Sequence, residues 1–295
     1  MTRLSIFTVL GASLLAACDC AGAGPRAGGA TPYVRCAMRE PPAIEAHLGA
    51  LHLHSEGRVL TIEGAPDPVR LAAFRGAALA EEPLEPALDA IESGAPAMQL
   101  VLGSLGDDEA HVETLLRALA TLTTPSIVVM GGRDHPADLV AAMAALPEDA
   151  RERIIDASGF RTIAIGGVAL VPVSGAPEGR YARDDQSCGL GAADIDAMVS
   201  DLGERGEHAR YLVGYAAPSP LAGIEGGEAG SALVAALATR TGARAGLFAW
   251  PDVPTPMLVP PLAGPPALLA DGSRIGPGVR LVEVSGTGLV DVPAR

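Results

Sequence analysis

The feature that most restricts this chain is a repeated grammar of short apolar runs, each closed by a turn and most followed by a helix-spaced segment. Val69–Phe74, Gln99–Leu102 and Ser126–Met130 are apolar runs too short for helices and bounded by Gly, Pro and Asp, as buried strands are. Between them, Pro83–Ile91, Glu109–Leu122 and Ala137–Leu146 carry apolar residues at three- and four-residue spacing. The second half repeats the pattern. Phe160–Ile165 and Val168–Val173 flank Gly166-Gly167, a hairpin signal. Helix spacing over Ala192–Leu202 and Gly227–Arg240 alternates with strands at Arg210–Val213 and Ala243–Phe248. Arg58–Ile62 adds a strand at the front, and Arg280–Val284 with Gly288–Val292 closes the chain as a hairpin. This order predicts an α/β sandwich whose strands are covered by helices, with the chemistry on loops at the strands' carboxyl ends.

Composition narrows the chemistry. The 295 residues hold 35 acidic against 21 basic side chains, a formal charge of −14, and all the basic ones are Arg. Lys is absent, which removes a P-loop lysine, a kinase ATP-binding lysine and any Schiff-base site. Asn is absent too, and with it N-glycosylation and any asparagine ligand. Net acidity without clustered cations argues against nucleic acid as a partner. Aromatics make up only 3%, so the core is built from Ala, Leu, Val and Ile.

Met1-Thr2-Arg3 followed by the apolar Leu4–Ala17 has the form of a signal peptide. Its end, Leu15-Ala16-Ala17-Cys18, resembles the lipobox of bacterial lipoproteins, which implies cleavage after residue 17 and lipid attachment at Cys18. The expected organisation is a leader over 1–17, a lipidated Cys18 with a Gly/Ala/Pro-rich tether and extension over 18–57, and a folded domain over 58–295. The implied location is the cell envelope, with a membrane reached through the N-terminal lipid. Cys20, Cys36 and Cys188 remain, an odd number. A Cys36–Cys188 disulfide is favoured because Cys20 lies in the tether.

The segments around the strand ends resemble those of the calcineurin-like metallophosphoesterase family. Arg70–Ala77 stands where that family has a strand ending in D-x-H, and Leu100–Asp107 resembles its G-D segment. Pro125–His135 resembles the strand ending in G-N-H-D, Tyr211–Pro218 the strand ending in a ligand His, and Gly246–Trp250 the closing G-H-x-H. The resemblance implies a four-layer αββα sandwich with two metal ions held at the strand ends. Matched position by position, the ligands fall on Arg75, Ala77, Ser104, Arg133, Asp134, Gly214 or Tyr215, and Phe248–Trp250. Guanidinium groups at two ligand positions repel divalent cations, and Gly or Ala cannot coordinate them.

Two classes of function follow. One is an envelope pseudoenzyme with a binding or structural role, no cofactor, and an anion-binding cleft built on Arg75 and Arg133, open to a small anion or another envelope protein. The other is a metal-dependent phosphoesterase whose divalent ion sits on Asp107, Asp134 and His135. Against that site stands a simpler reading, in which Asp107 and Asp108 cap the helix from Glu109, and Asp134 caps the helix after Pro136. His52 and His54 alternate within Leu51–His54 and would share a strand face, where they are solvated or share a metal. Pro251–Pro266 reads as an extended surface segment.

Overall fold

The computed structural model describes residues 33–77, 84–177, 182–202, 208–219, 230–249, 257–259, 274–276 and 278–292. The leader, Cys18, Cys20, the tether, Trp250 and most of the Pro-rich stretch lie outside them.

Two mixed sheets face each other. In the first, β15 (Arg274–Gly276), β16 (Val279–Val284), β4 (Val69–Phe74), β5 (Met98–Leu102), β6 (Ser126–Val129) and β7 (Ile154–Asp156) lie in that order, with β17 (Leu289–Asp291) also paired to β16. β4 through β7 are parallel, and the crossovers between them carry the helices α1 (Leu84–Ser93), α2 (Glu109–Leu119) and α3 (Pro136–Ala144), with the one-turn α4 (Glu148–Arg151) before β7. The second sheet runs β1 (Glu45–Leu48), β2 (Leu51–Glu56), β3 (Val59–Glu63), β8 (Thr162–Ile165), β9 (Val168–Val173), β12 (Ala209–Gly214), β13 (Ala245–Phe248) and β14 (Met257–Val259). Helices α5 (Ala192–Leu202) and α6 (Ala232–Thr241) cover it, and a two-stranded pair, β10 (Ala176–Pro177) with β11 (Gly189–Leu190), lies between β9 and α5 in the chain.

The strands read as continuous apolar runs because both of their faces are buried, and their period of two divides the residues between layers. Leu71, Leu100, Leu102, Ile127 and Val129 point into the core between the sheets, where Leu170, Tyr211, Val213 and Leu247 meet them from the other side. Their alternating neighbours Phe74, Val101, Val128 and Met130 pack under α1, α2 and α3. On the opposite flank, Val171, Val173, Leu212 and Phe248 pack under α5 and α6. The result is the four-layer αββα sandwich. Truncating one of the inter-sheet leucines to Ala costs about 2–5 kcal/mol.

Local signals set the ends of the elements. Asp108 accepts a hydrogen bond from the His111 N–H (2.9 Å) and caps α2, whose Val112, Leu115, Leu116 and Leu119 are buried. Ser231 caps α6 in the same way, and Gly242 ends it at φ 65°. Gly166 and Gly167, at φ 53° and 76°, make the β8–β9 hairpin turn.

The folded domain begins before the boundary expected at residue 58. β1 and β2 belong to the large sheet, and Leu51 and Leu53 enter the inter-sheet core while His52 and His54 face outward. Upstream of β1, the chain is fastened by a half-buried and a buried arginine and by a covalent bond. The Arg58 guanidinium donates to the carbonyls of Arg39 (2.8 Å), Gly159 (2.7 Å) and Met38 (3.2 Å). Arg161, 2% exposed, bridges Asp201 (2.9 Å) and the Ala37 carbonyl. Cys36 and Cys188 form a disulfide between residues 152 positions apart.

Candidate functional site

The loops that follow β4, β5, β6 and β12 converge at one edge of the sandwich, which places residues from four strand ends in mutual contact. Gly103 leaves β5 at φ 72° and Ser104 follows at φ 54°, a left-handed pair that turns the chain sharply. The Gly103 carbonyl accepts a hydrogen bond from the Gly76 N–H after β4 (2.9 Å). Tyr215, at the end of β12, is fully buried, and its ring lies on the bare backbone of Gly103 and Gly131. A Cβ at either glycine would sit 2.6 Å from the ring. Both positions therefore need glycine for this close approach.

The Ser104 side chain, Arg75 and Arg133 lie near enough to the Tyr215 hydroxyl to act on its pKa, each lowering it. Burial is the larger effect and pushes its pKa up to about 12, so the phenol is neutral under ordinary conditions. Arg75, Ser104, Arg133 and Tyr215 thus share one crevice, as the resemblance of their segments implies. Arg75 is 8% exposed, whereas the Arg133 side chain is 54% exposed and lies 3.8 Å from Asp107.

Asp134 does something that neither sequence reading anticipates. Only 2% exposed, it turns inward, and its carboxylate accepts N–H bonds from Gly131 (2.6 Å) and Leu105 (2.8 Å), with the Ser104 N–H near enough to favour its charged form. The left-handed turn at Gly103 and Ser104 aims the successive N–H groups of Ser104 and Leu105 at one point, a backbone anion cradle filled here by an internal carboxylate. Burial pushes the Asp134 pKa up, and the three N–H groups and Arg183 oppose that shift. The residue is neither the cap of α3 nor an open metal ligand. The N-cap of α3 is His135, which makes no side-chain capping bond. Asp134 instead ties the loop after β5 to the loop after β6. Its carbonyl also accepts the Cys188 N–H (3.2 Å), linking this clamp to the disulfide.

The rim of the crevice is a charge network centred on Arg183, which carries no motif in the sequence. Its guanidinium donates to the Asp107 carbonyl, lies 2.7 Å from the His135 Nδ1, and is within 3.9 Å of the Asp107, Asp138 and Asp184 carboxylates. His135 Nε2 lies 2.8 Å from Asp184. Asp107 pairs with Arg133 and Arg183 and is not the cap of α2, a role filled by Asp108 alone. Among the described residues, Asp107, Asp134 and His135 do not form a group whose ligand atoms converge on one point.

This donor set does not suit a dinuclear metal cluster. The strand ends offer two guanidiniums, a serine hydroxyl and a neutral buried phenol. The Asp134 oxygens are already engaged by backbone N–H groups, and Ala249 supplies a methyl group to the inter-sheet core where a ligand would be needed.

No protein-family model matches the sequence, and no curated protein is similar to it. Among solved structures, TT1561 of Thermus thermophilus superposes with a TM-score of 0.55 at 15% identity, covering 77% of this chain and 99% of that one. A second crystal structure superposes with a TM-score of 0.54 at 12% identity, covering 76% and 99%. Both superpositions span most of this chain and nearly all of the other, and they agree with a four-layer αββα sandwich.

Proposed function

We propose that this chain is a lipid-anchored bacterial envelope protein whose metallophosphoesterase-like sandwich is catalytically silent and serves as a binding module. The observation that supports it best is Tyr215. At the strand end where the metallophosphoesterase pattern puts a metal-ligand His, a buried aromatic ring fills the crevice and rests on Gly103 and Gly131. Asp134, at the position of the family's catalytic-type His, is spent on clamping two loops.

The binding surface is the crevice rim, where the exposed Arg133 presents a guanidinium beside Arg75 to a phosphate or carboxylate group of a small ligand or an envelope partner. Asp107 already sits 3.8 Å from Arg133, so an incoming anion displaces that carboxylate. Anchoring through an acylated Cys18 after removal of residues 1–17 would tether the domain to a membrane.

The test is calorimetric titration of the purified protein with inorganic phosphate and simple phosphoesters. Binding heat that Arg133→Ala abolishes and Asp107→Ala strengthens supports the anion reading. Absence of heat, or heat indifferent to Arg133→Ala, removes it. Mass spectrometry of the membrane fraction for an acylated Cys18 tests the anchor, and an intact leader in the purified membrane-fraction chain would remove it.

A further inference from the structure

Far from the Tyr215 crevice in the strand order, the outward face of β1–β3 gathers three of the chain's six histidines with two glutamates. Antiparallel pairing places them together. His47 lies opposite His52, Glu45 opposite His54, and His52 opposite Glu63. The period of two turns Leu51 and Leu53 into the core and His52 and His54 outward. The His47 and His52 rings are stacked with centroids 4.4 Å apart, and His54 follows at 5.1 Å from His52. His52 already contacts a carboxylate on each side, Glu45 at 2.8 Å and Glu63 at 3.3 Å.

We propose that this face is a divalent transition-metal site, with His52 as the shared ligand of two overlapping triads, Glu45/His47/His52 and His52/His54/Glu63. Within each triad the ligand atoms lie no more than 4.8 Å from one another. Two imidazoles and a carboxylate around one zinc stand about 3.3 Å apart at bond lengths near 2.0–2.1 Å, so modest side-chain rotation closes the site. A second observation points the same way. The Nδ1 of His54 is buried and has no hydrogen-bond partner. An unsatisfied buried polar atom is costly, and a ligand drawn to this face would let the ring reorient and recover it.

The ligand chemistry selects the ion. Imidazole with one carboxylate suits Zn²⁺, Cu²⁺ or Ni²⁺, whereas Ca²⁺ and Mg²⁺ require a shell of oxygens. Because both triads use His52, the face takes one ion at a time. Three protein ligands on a solvent-facing sheet leave a coordination position for water or for a group from another molecule.

Isothermal titration of the purified full chain with Zn²⁺ tests this independently of the crevice. The expected result is one equivalent bound, weakened at least about tenfold in His52→Ala and in the double variant His47→Gln/His54→Gln, and unchanged in the control His208→Ala. Circular dichroism melts of the apo proteins separate ligand loss from misfolding, and the double variant, which keeps His52, stands in if His52→Ala is unstable. Glu45→Gln or Glu63→Gln must also weaken binding, since one carboxylate completes each triad. No saturable binding, equal binding in His52→Ala, or loss in neither glutamate variant would overturn the proposal.

Discussion

Replacing Asp134 with Ala tests the idea that the strand-end crevice is held shut from within. The carboxylate receives N–H bonds from Gly131 at 2.6 Å and Leu105 at 2.8 Å in a position only 2% exposed. Ala leaves those donors without a partner, at about 1–3 kcal/mol each. Removing a buried charge offsets part of this, because burial already raises the Asp134 pKa. A net loss of about 2–4 kcal/mol is expected, a large share of the 5–15 kcal/mol typical of a domain. At a urea m-value near 3 kcal/mol/M, the unfolding midpoint falls by about 1 M. Asn is no rescue, because its amide sets N–H against N–H at one oxygen position and keeps an acceptor only at the other. The assay is urea unfolding followed by circular dichroism for the parent, Asp134→Ala and Asp134→Asn. A metal ligand behaves oppositely, since its removal leaves the apo protein as stable or more stable. A midpoint for Asp134→Ala equal to or above the parent's would refute the clamp.

Other consequences can be checked the same way. Tyr215 has its pKa raised to about 12, so its neutral form contributes stability that is intact below about pH 10 and lost as pH rises toward 12, about 3 kcal/mol at the top of that window. Tyr215→Phe should therefore flatten the alkaline decline in unfolding free energy, and an unchanged slope would mean the ring is not buried as described. Gly131→Ala drives a methyl into the Tyr215 ring, which would lie 2.6 Å away, and should cost about 1–3 kcal/mol. Combined with Tyr215→Leu, the loss should be clearly less than additive in chemical denaturation. Breaking the Cys36–Cys188 bond, which joins residues 152 apart, should lower unfolding stability by about 2–5 kcal/mol. Melts with and without reductant show this directly, and identical melts would contradict it.

Most of the fold is legible in the sequence because its strands are buried on both faces. Runs such as Ser126–Val129 are apolar almost throughout and suggest nothing else, and Gly166-Gly167 announces its own turn. The start of the domain is harder to read. Leu51–His54 alternates correctly for a half-buried strand and β3 is readable as an apolar run, but the partner β1 is recognisable only once the pairing is known.

The crevice is legible as a set of positions and not as a set of roles. Arg75, Ser104, Arg133 and Tyr215 are marked by the resemblance of their segments to the metallophosphoesterase motifs. Asp134 before a proline-started helix has the local signature of an N-cap, and only the approach of the loop bearing Leu105, 29 residues earlier, turns it inward. Arg183 meets His135 across 48 residues of chain, and no local pattern marks such a pair. Three histidines on neighbouring strands are likewise invisible as a cluster until His47 is set opposite His52.

We propose that the strand ends of this sandwich carry out no phosphoester hydrolysis. Turnover of p-nitrophenyl phosphate and bis(p-nitrophenyl) phosphate by the purified protein with added Mn²⁺, measured alongside His52→Ala to set aside metal on the outer sheet face, tests it most directly. The account predicts no hydrolysis above the buffer blank for either protein. Hydrolysis that depends on Mn²⁺, persists in His52→Ala and disappears in Asp134→Asn or His135→Ala would contradict it.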